Sequence, residues 1–347
     1  MTQLLAAESL WWDGEWKSGQ GLRLSGDDVV PMAAPDTVDR RPGTLLPGLT
    51  DHHVHSALVD LPTVRAGGIG AVWDLGGVLE TVADLARRAA PVDNDGKLSG
   101  AGDLLAPPST GWGRSGGGRK LPKIRFAGPF LNAPGGYPSD RAWAPAGSWR
   151  SLTSPDEAAD AVGEAHRAGA TLIKMTAHAG GPLLSLKTMT AVADSAHALA
   201  LPVVVHAEGD GTVELALDCG AEFLAHTPWT ARLDEGLVRA CADRMTWIST
   251  LDIHGWGTKT PESVTAVGNL RQFLSYGGSV RYGTDLGNGP LPPAINPREI
   301  RLMQSAGMAP SDILASMAGP GVAWVPGGLD LDPARFADVL ATARVIS

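Results

Sequence analysis

The chain has 347 residues, 44% of them hydrophobic, with 28 Lys+Arg against 37 Asp+Glu and a formal net charge of −9. An acidic surface without a Lys/Arg run repels phosphate backbones and argues against nucleic acid as a partner. No stretch approaches the ~20 consecutive apolar residues of a membrane helix.

The amino terminus lacks a basic region followed by an apolar run, so the expectation is a cytoplasmic protein with a small molecule as its partner. Association into a homo-oligomer is left open. Cys219 and Cys241 form neither a CxxC nor a zinc-ribbon spacing and read as reduced, packed thiols.

In chain order, residues 1–43 carry short strand-like pieces around WWDGEW and GLRLSGDDVV. Eight apolar or β-branched runs follow, at 44–55, 70–75, 123–128, 171–177, 202–208, 223–227, 246–251 and 280–285. Helical patterns separate most of them: 78–90, a helix opened by Ser154-Pro155-Asp156-Glu157 and ending at Gly169, then 185–200, 210–219, 234–243, 262–276 and 296–306. Ser154 to Glu157 reads as a capping box with proline at the first helical position.

Eight strands alternating with helices predict an α/β chain folded as a (β/α)8 TIM barrel over 44–325. The last residues, ADVLATARVI, look like a strand. The two termini, 1–43 and 326–347, are therefore expected to pair into a small β-sandwich-like subdomain. Residues 91–122, rich in glycine and proline, suit a flexible insertion better than an active-site flap.

Almost every candidate ligand falls at the carboxyl end of one of these runs. The first ends in Asp51-His52-His53-Val54-His55. Side chains two apart on a strand share a face, so His53 and His55 are expected to point inward and His52 outward. The fourth run offers Lys174, the fifth His206, the sixth His226 and the eighth Asp285. A closed parallel barrel gathers all strand ends at one mouth.

Imidazoles and carboxylates suit Zn²⁺, Mn²⁺, Fe²⁺ or Ni²⁺. Lysine is the odd member, since an ammonium repels cations. Burial favours the neutral amine, which adds carbon dioxide to give a carbamate able to bridge two metals.

The order HxH, Lys, His, His, Asp resembles the binuclear-metal amidohydrolase superfamily. LLPGLTDHHVH (45–55), GPFLNAPGGYP (128–138), AGATLIKMTAH (168–178), LPVVVHAEG (201–209), GAEFLAHTP (220–228) and RYGTDLG (281–287) are similar to its imidazolonepropionase-like and Xaa-Pro dipeptidase-like branch. The resemblance implies two divalent metals, with zinc the first expectation. His53, His55 and Asp285 would hold one and His206 and His226 the other, bridged by carboxylated Lys174. It further implies a metal-bridging hydroxide that attacks a C–N bond (an amide, a dipeptide-like bond or a cyclic amide), with Asp285 as proton shuttle.

Substrate contacts are expected from loops beyond the strands. His178 would orient the substrate carbonyl, and Tyr137, Trp229, His254 and Trp256 would line the pocket. The segment between His55 and the second run is short, and Arg281 stands where relatives typically carry an apolar residue. A lactone or ester hydrolase or a deaminase on the same metals is the alternative. A non-catalytic binding barrel is a weaker one, because no ligand is missing.

Overall fold

The structure is a computed structural model; it describes residues 2–25, 28–35, 37–90 and 120–346. The insertion expected at 91–122 thus falls, through residue 119, outside the described residues.

Parallel strands form two sheets. One runs through Arg41–Val54, Ala71–Asp74 and Lys123–Phe126. The other orders Trp149–Ser151, Phe130–Asn132, Ile173–His178, Val203–Glu208, Phe223–Leu224, Thr246–Ile248 and Ser279–Arg281. Backbone hydrogen bonds also cross between the sheets. His52 N donates to Tyr282 O (3.0 Å), His55 N to Leu286 O (2.8 Å) and Leu286 N to His53 O (3.2 Å). On the other side, Thr171 N donates to Phe126 O (3.1 Å).

The apolar residues explain why these strands read as unbroken hydrophobic runs. Val203 and Val205 pack into the large cluster shared with the helices, whereas Val204 joins a separate cluster of Trp73, Leu75, Ala127, Leu172, Ala225 and Ile248. Both faces of each strand are therefore buried, as parallel sheets with helix-covered faces require. Ile173 and Met175 lie in the large cluster and Leu172 in the small one, which puts Lys174 on the small-cluster face.

Most expected helices are present, including Leu79–Ala89, Leu186–His197, Thr212–Asp218, Glu235–Arg244, Pro261–Ser275 and Pro297–Ala306. Three expectations are corrected. Ser154 makes no side-chain cap; the turn Pro155–Glu157 is 3-10, and Glu157 instead accepts from Thr153 N (3.0 Å), with Ala158–Arg167 helical after it. The strand-like ADVLATARVI (337–346) starts in the helix Pro333–Leu340, and only its end, Arg344–Ile346, is a strand. Its apolar residues sit at helical spacing, with Phe336, Ala337 and Leu340 buried.

His52 does not turn away from the interior. Its ring meets Trp73 edge-on at 4.7 Å, and its Nδ1 lies 2.9 Å from Tyr282 O. The register shifts between Asp51 and Val54, so strict alternation fails there.

The long strand Arg41–Val54 also carries the terminal segments. Ala7–Trp12 pairs with it in parallel and Ala318–Val325 antiparallel, the latter bound in turn to Arg344–Ile346. Leu5, Leu10, Leu22, Leu24, Leu45 and Val322 make a small core of their own. Among the described residues no helix is long and apolar enough to cross a membrane.

Candidate metal centre

The strands Ile173–His178 and Val203–Glu208 pair in register along their whole length: Lys174 faces Val204, Thr176 faces His206 and His178 faces Glu208. The same register sets Lys174, His206 and Glu208 on one side. His53 and His55 arrive from Arg41–Val54, and Asp285 from the segment just past Ser279–Arg281. The imidazoles form a continuous run, with ring centroids 5.4 Å apart for His55–His53, 4.6 Å for His53–His226 and 5.0 Å for His226–His206.

The orientation of the rings is set by groups behind them. His53 Nδ1 lies 2.8 Å from Ala225 O and His55 Nδ1 lies 3.0 Å from Gly76 O. A carbonyl only accepts, so each Nδ1 carries its proton and each Nε2 presents a bare lone pair in the neutral ring. Asp74 steadies the second of these carbonyls, accepting from Gly76 N (3.1 Å) and Ser56 N (2.7 Å). His226 Nδ1 contacts Thr250 Oγ1 at 2.9 Å. Asp51 ties the first strand to the last, accepting from His53 N and Thr284 N, each at 3.0 Å.

Asp285 Oδ1 stands 3.1 Å from Nε2 of both His53 and His55, buried and without the alignment of a hydrogen bond. Burial opposes its ionisation, yet the two histidines hold its carboxyl well below the usual range. Burial lowers His53 to about 4. Burial also works to lower His55, but the contact with Asp285 wins and raises it. A carboxylate oxygen facing two bare lone pairs is a repulsive arrangement, which a shared proton or a cation relieves.

Asp285 (φ 59°) and Thr250 (φ 42°) both adopt the left-handed region. For a β-branched residue such as Thr250 that conformation costs about 1–3 kcal/mol, so surrounding contacts must hold it in place.

Lys174 is 1% exposed, with Nζ 6.0 Å from the Phe130 ring centre. Burial lowers its pKa to about 7, against the pull of Asp285 and Asp74. A sizeable neutral fraction therefore exists at physiological pH.

A second group lies nearer solvent. Glu208 Oε2 is 3.0 Å from His206 Nε2 and 3.1 Å from His178 Nδ1, while Arg141 Nη2 reaches His178 Nε2 at 3.2 Å. His53, His55 and Asp285 on one hand, and His178, His206 and Glu208 on the other, each have ligand atoms close enough to share one ion. Glu208 was missed in the sequence, although HAE obeys the same two-residue alternation that marked His53 and His55.

Of the expected pocket residues, Tyr137 stacks on His206 (4.6 Å, 21°), and burial raises its hydroxyl pKa, keeping it a neutral donor. Trp229 sits edge-on to His226 (5.4 Å) and His206 (5.9 Å), and His254 stacks on Trp229 (4.7 Å). Trp256 is not brought to the histidines. It is 48% exposed and covers Gly289, where a Cβ would come within 2.5 Å of its indole nitrogen. Trp143, unmarked by any motif, stands 6.4 Å from His55 and 6.1 Å from Tyr137.

No protein-family model and no curated protein sequence matches the chain. Solved structures do. A Xaa-Pro dipeptidase with bound methionine aligns over 99% of this chain and 97% of its own, with TM-score 0.73 and 17% identity. The A. niger ochratoxinase aligns over 98% and 92%, with TM-score 0.71 and 15% identity. A putative prolidase from Bifidobacterium longum aligns over 98% and 91%, with TM-score 0.70 and 20% identity. Over essentially its whole described length, this chain has the fold of the Xaa-Pro dipeptidase and amidohydrolase structures.

Proposed function

We propose that the protein is a metal-dependent hydrolase of C–N bonds, and that its two parallel sheets form one closed (β/α)8 barrel with residues 1–43 and 326–347 in a small β subdomain beside it. The observation that carries this reading is the approach of Asp285 Oδ1 to the bare Nε2 atoms of His53 and His55. Such a donor set fits a divalent ion. His53, His55 and Asp285 would hold one, His206 and His226 a second, and Lys174, as its carbamate, both.

When bound, such ions lower the pKa of water towards neutrality and polarise a carbonyl oxygen. Asp285, held ionised, takes up the proton of the attacking water and delivers it to the leaving nitrogen. The Nδ1 contacts of His53 and His55 keep their rings from rotating during the reaction. Tyr137 offers a neutral hydroxyl beside His206, and His178, held between Glu208 and Arg141, is placed to orient the substrate carbonyl. Trp143, Trp229 and His254 add apolar surface around the same opening, which suits a substrate with an apolar flank.

The names of the aligned structures, a dipeptidase, a prolidase and an ochratoxinase, agree with an amide-type substrate. The test is a side-by-side assay of dipeptides, N-acyl amino acids and lactones with protein loaded with Zn²⁺ or Mn²⁺. Hydrolysis of amides that a chelator abolishes supports the reading. Turnover of lactones alone moves it to ester chemistry, and failure to bind any divalent metal overturns it.

A further inference from the structure

A cavity of about 520 Å³ opens between the helices Pro261–Ser275 and Pro297–Ala306, under the turn at 251–259. That volume falls within the range of small-molecule sites. None of the candidate metal-centre side chains lines it. In a chain of net charge −9, its wall carries Lys259, Arg271, Arg298 and Arg301 against a single acid, Asp252.

The one acid is already engaged. Asp252 receives both contacts of Arg298 Nε (3.1 and 2.9 Å) and Asn296 Nδ2 (2.8 Å). Arg301 pairs outward with Asp338, and Arg271 Nη2 donates to the neutral carbonyl of Ser305 (2.6 Å). Arg298 Nη2 also lies 2.9 Å from Asp252 Oδ2, so Arg298 and Asp252 compensate each other and Lys259 and Arg271 are the cavity's cations without an acidic partner among the described residues. Like charges around one cavity repel, and an anion between Lys259 and Arg271 would relieve that repulsion. Val264, Val267 and Leu302 supply an apolar wall beside these cations.

We propose that this cavity is a second binding site, separate from the metal centre, for a small organic anion with a dianionic head and an apolar tail, of the phosphate-ester class. Guanidinium groups suit such a head because their forked donors match its oxygens. The turn above the cavity carries His254, which stacks on Trp229 beside the candidate metal ligands. A ligand here thus braces the segment that borders the metal centre.

The test is calorimetric titration of the full chain with phenyl phosphate, with benzyl alcohol as the uncharged probe. The expected result is saturable binding of one phenyl phosphate, absent for benzyl alcohol, and weakened at least about tenfold in a Lys259→Glu/Arg271→Glu variant. Both positions are exposed, so the variant should fold. A titration without saturable heat overturns the proposal. So does unchanged affinity in the double variant, which would place the anion elsewhere, at the metal centre for example. Neither result depends on the protein's being a hydrolase.

Discussion

His53, His55 and Asp285 are 1%, 8% and 3% exposed, and the two imidazoles lean on main-chain carbonyls of Ala225 and Gly76. His178 and Glu208 are half-buried, and with His206 they meet through side chains contributed by two adjacent strands. The ring acceptors of the inner group are main-chain carbonyls, which a side-chain substitution does not delete. The outer group can be rearranged by a single substitution or by an incoming substrate. Preorganisation of this kind favours tight cation binding inside and adaptable substrate contacts outside.

Substitutions in each group break or sharpen that contrast. Asp285→Asn should retain metal by elemental analysis yet lose turnover by about 10²- to 10⁴-fold, the range for a lost acid–base group. Near-normal turnover would remove Asp285 from proton transfer. Glu208→Gln should raise KM about tenfold with little change in kcat or metal content, the signature of a lost ground-state contact. Loss of metal instead would make the outer group a cation site rather than a substrate contact.

Lys174→Ala joins the two regions. It should lose about half the bound metal, restored by bicarbonate or a short carboxylic acid that replaces the carbamate. Full occupancy in the unsupplemented variant would separate Lys174 from any bridging role.

The smallest effect concerns the support of the outer rim. Glu299 is fully buried and accepts from Leu251 N (2.9 Å) and Asp252 N (2.7 Å), anchoring the turn that carries His254. Burial pushes its pKa from 4.5 up to about 8. The folded chain thus keeps a proton that the unfolded chain releases. Its contribution to stability is complete below 4.5, declines as pH rises towards about 8 and is flat beyond. The slope is at most about 1.4 kcal/mol per pH unit. Melting midpoints of the parent and Glu299→Gln between about pH 5 and 8 should show a shallower decline in the variant. Equal slopes would mean that Glu299 ionises normally.

Much of this arrangement was legible beforehand where one local rule sufficed. The strand at Val203–Glu208 follows from the apolar run at 202–208, and the helix at Pro297–Ala306 from the helical pattern at 296–306. Errors arose where a local rule met a tertiary constraint. Alternation placed His52 outside, but the irregular pairing between Asp51 and Val54 turned it onto Trp73. Glu157 was expected to complete a cap on Ser154 and instead holds Thr153 N. Trp143 reaches the site from a turn-rich segment without periodicity, so no pattern marked it.

The order and chemical type of His53, His55, Lys174, His206, His226 and Asp285 are properties of the chain alone. So is the position of the histidines and Asp285 at or near the ends of apolar runs, because burial of those runs leaves most polar groups where the strands stop; Lys174 lies inside its run. Which nitrogen each imidazole presents, how far burial moves Lys174, and that Glu208 faces His178 depend on groups distant in sequence. Those features were decided by the packed structure, since strand register and the placement of carbonyls such as Ala225 O arise only when the strands lie side by side.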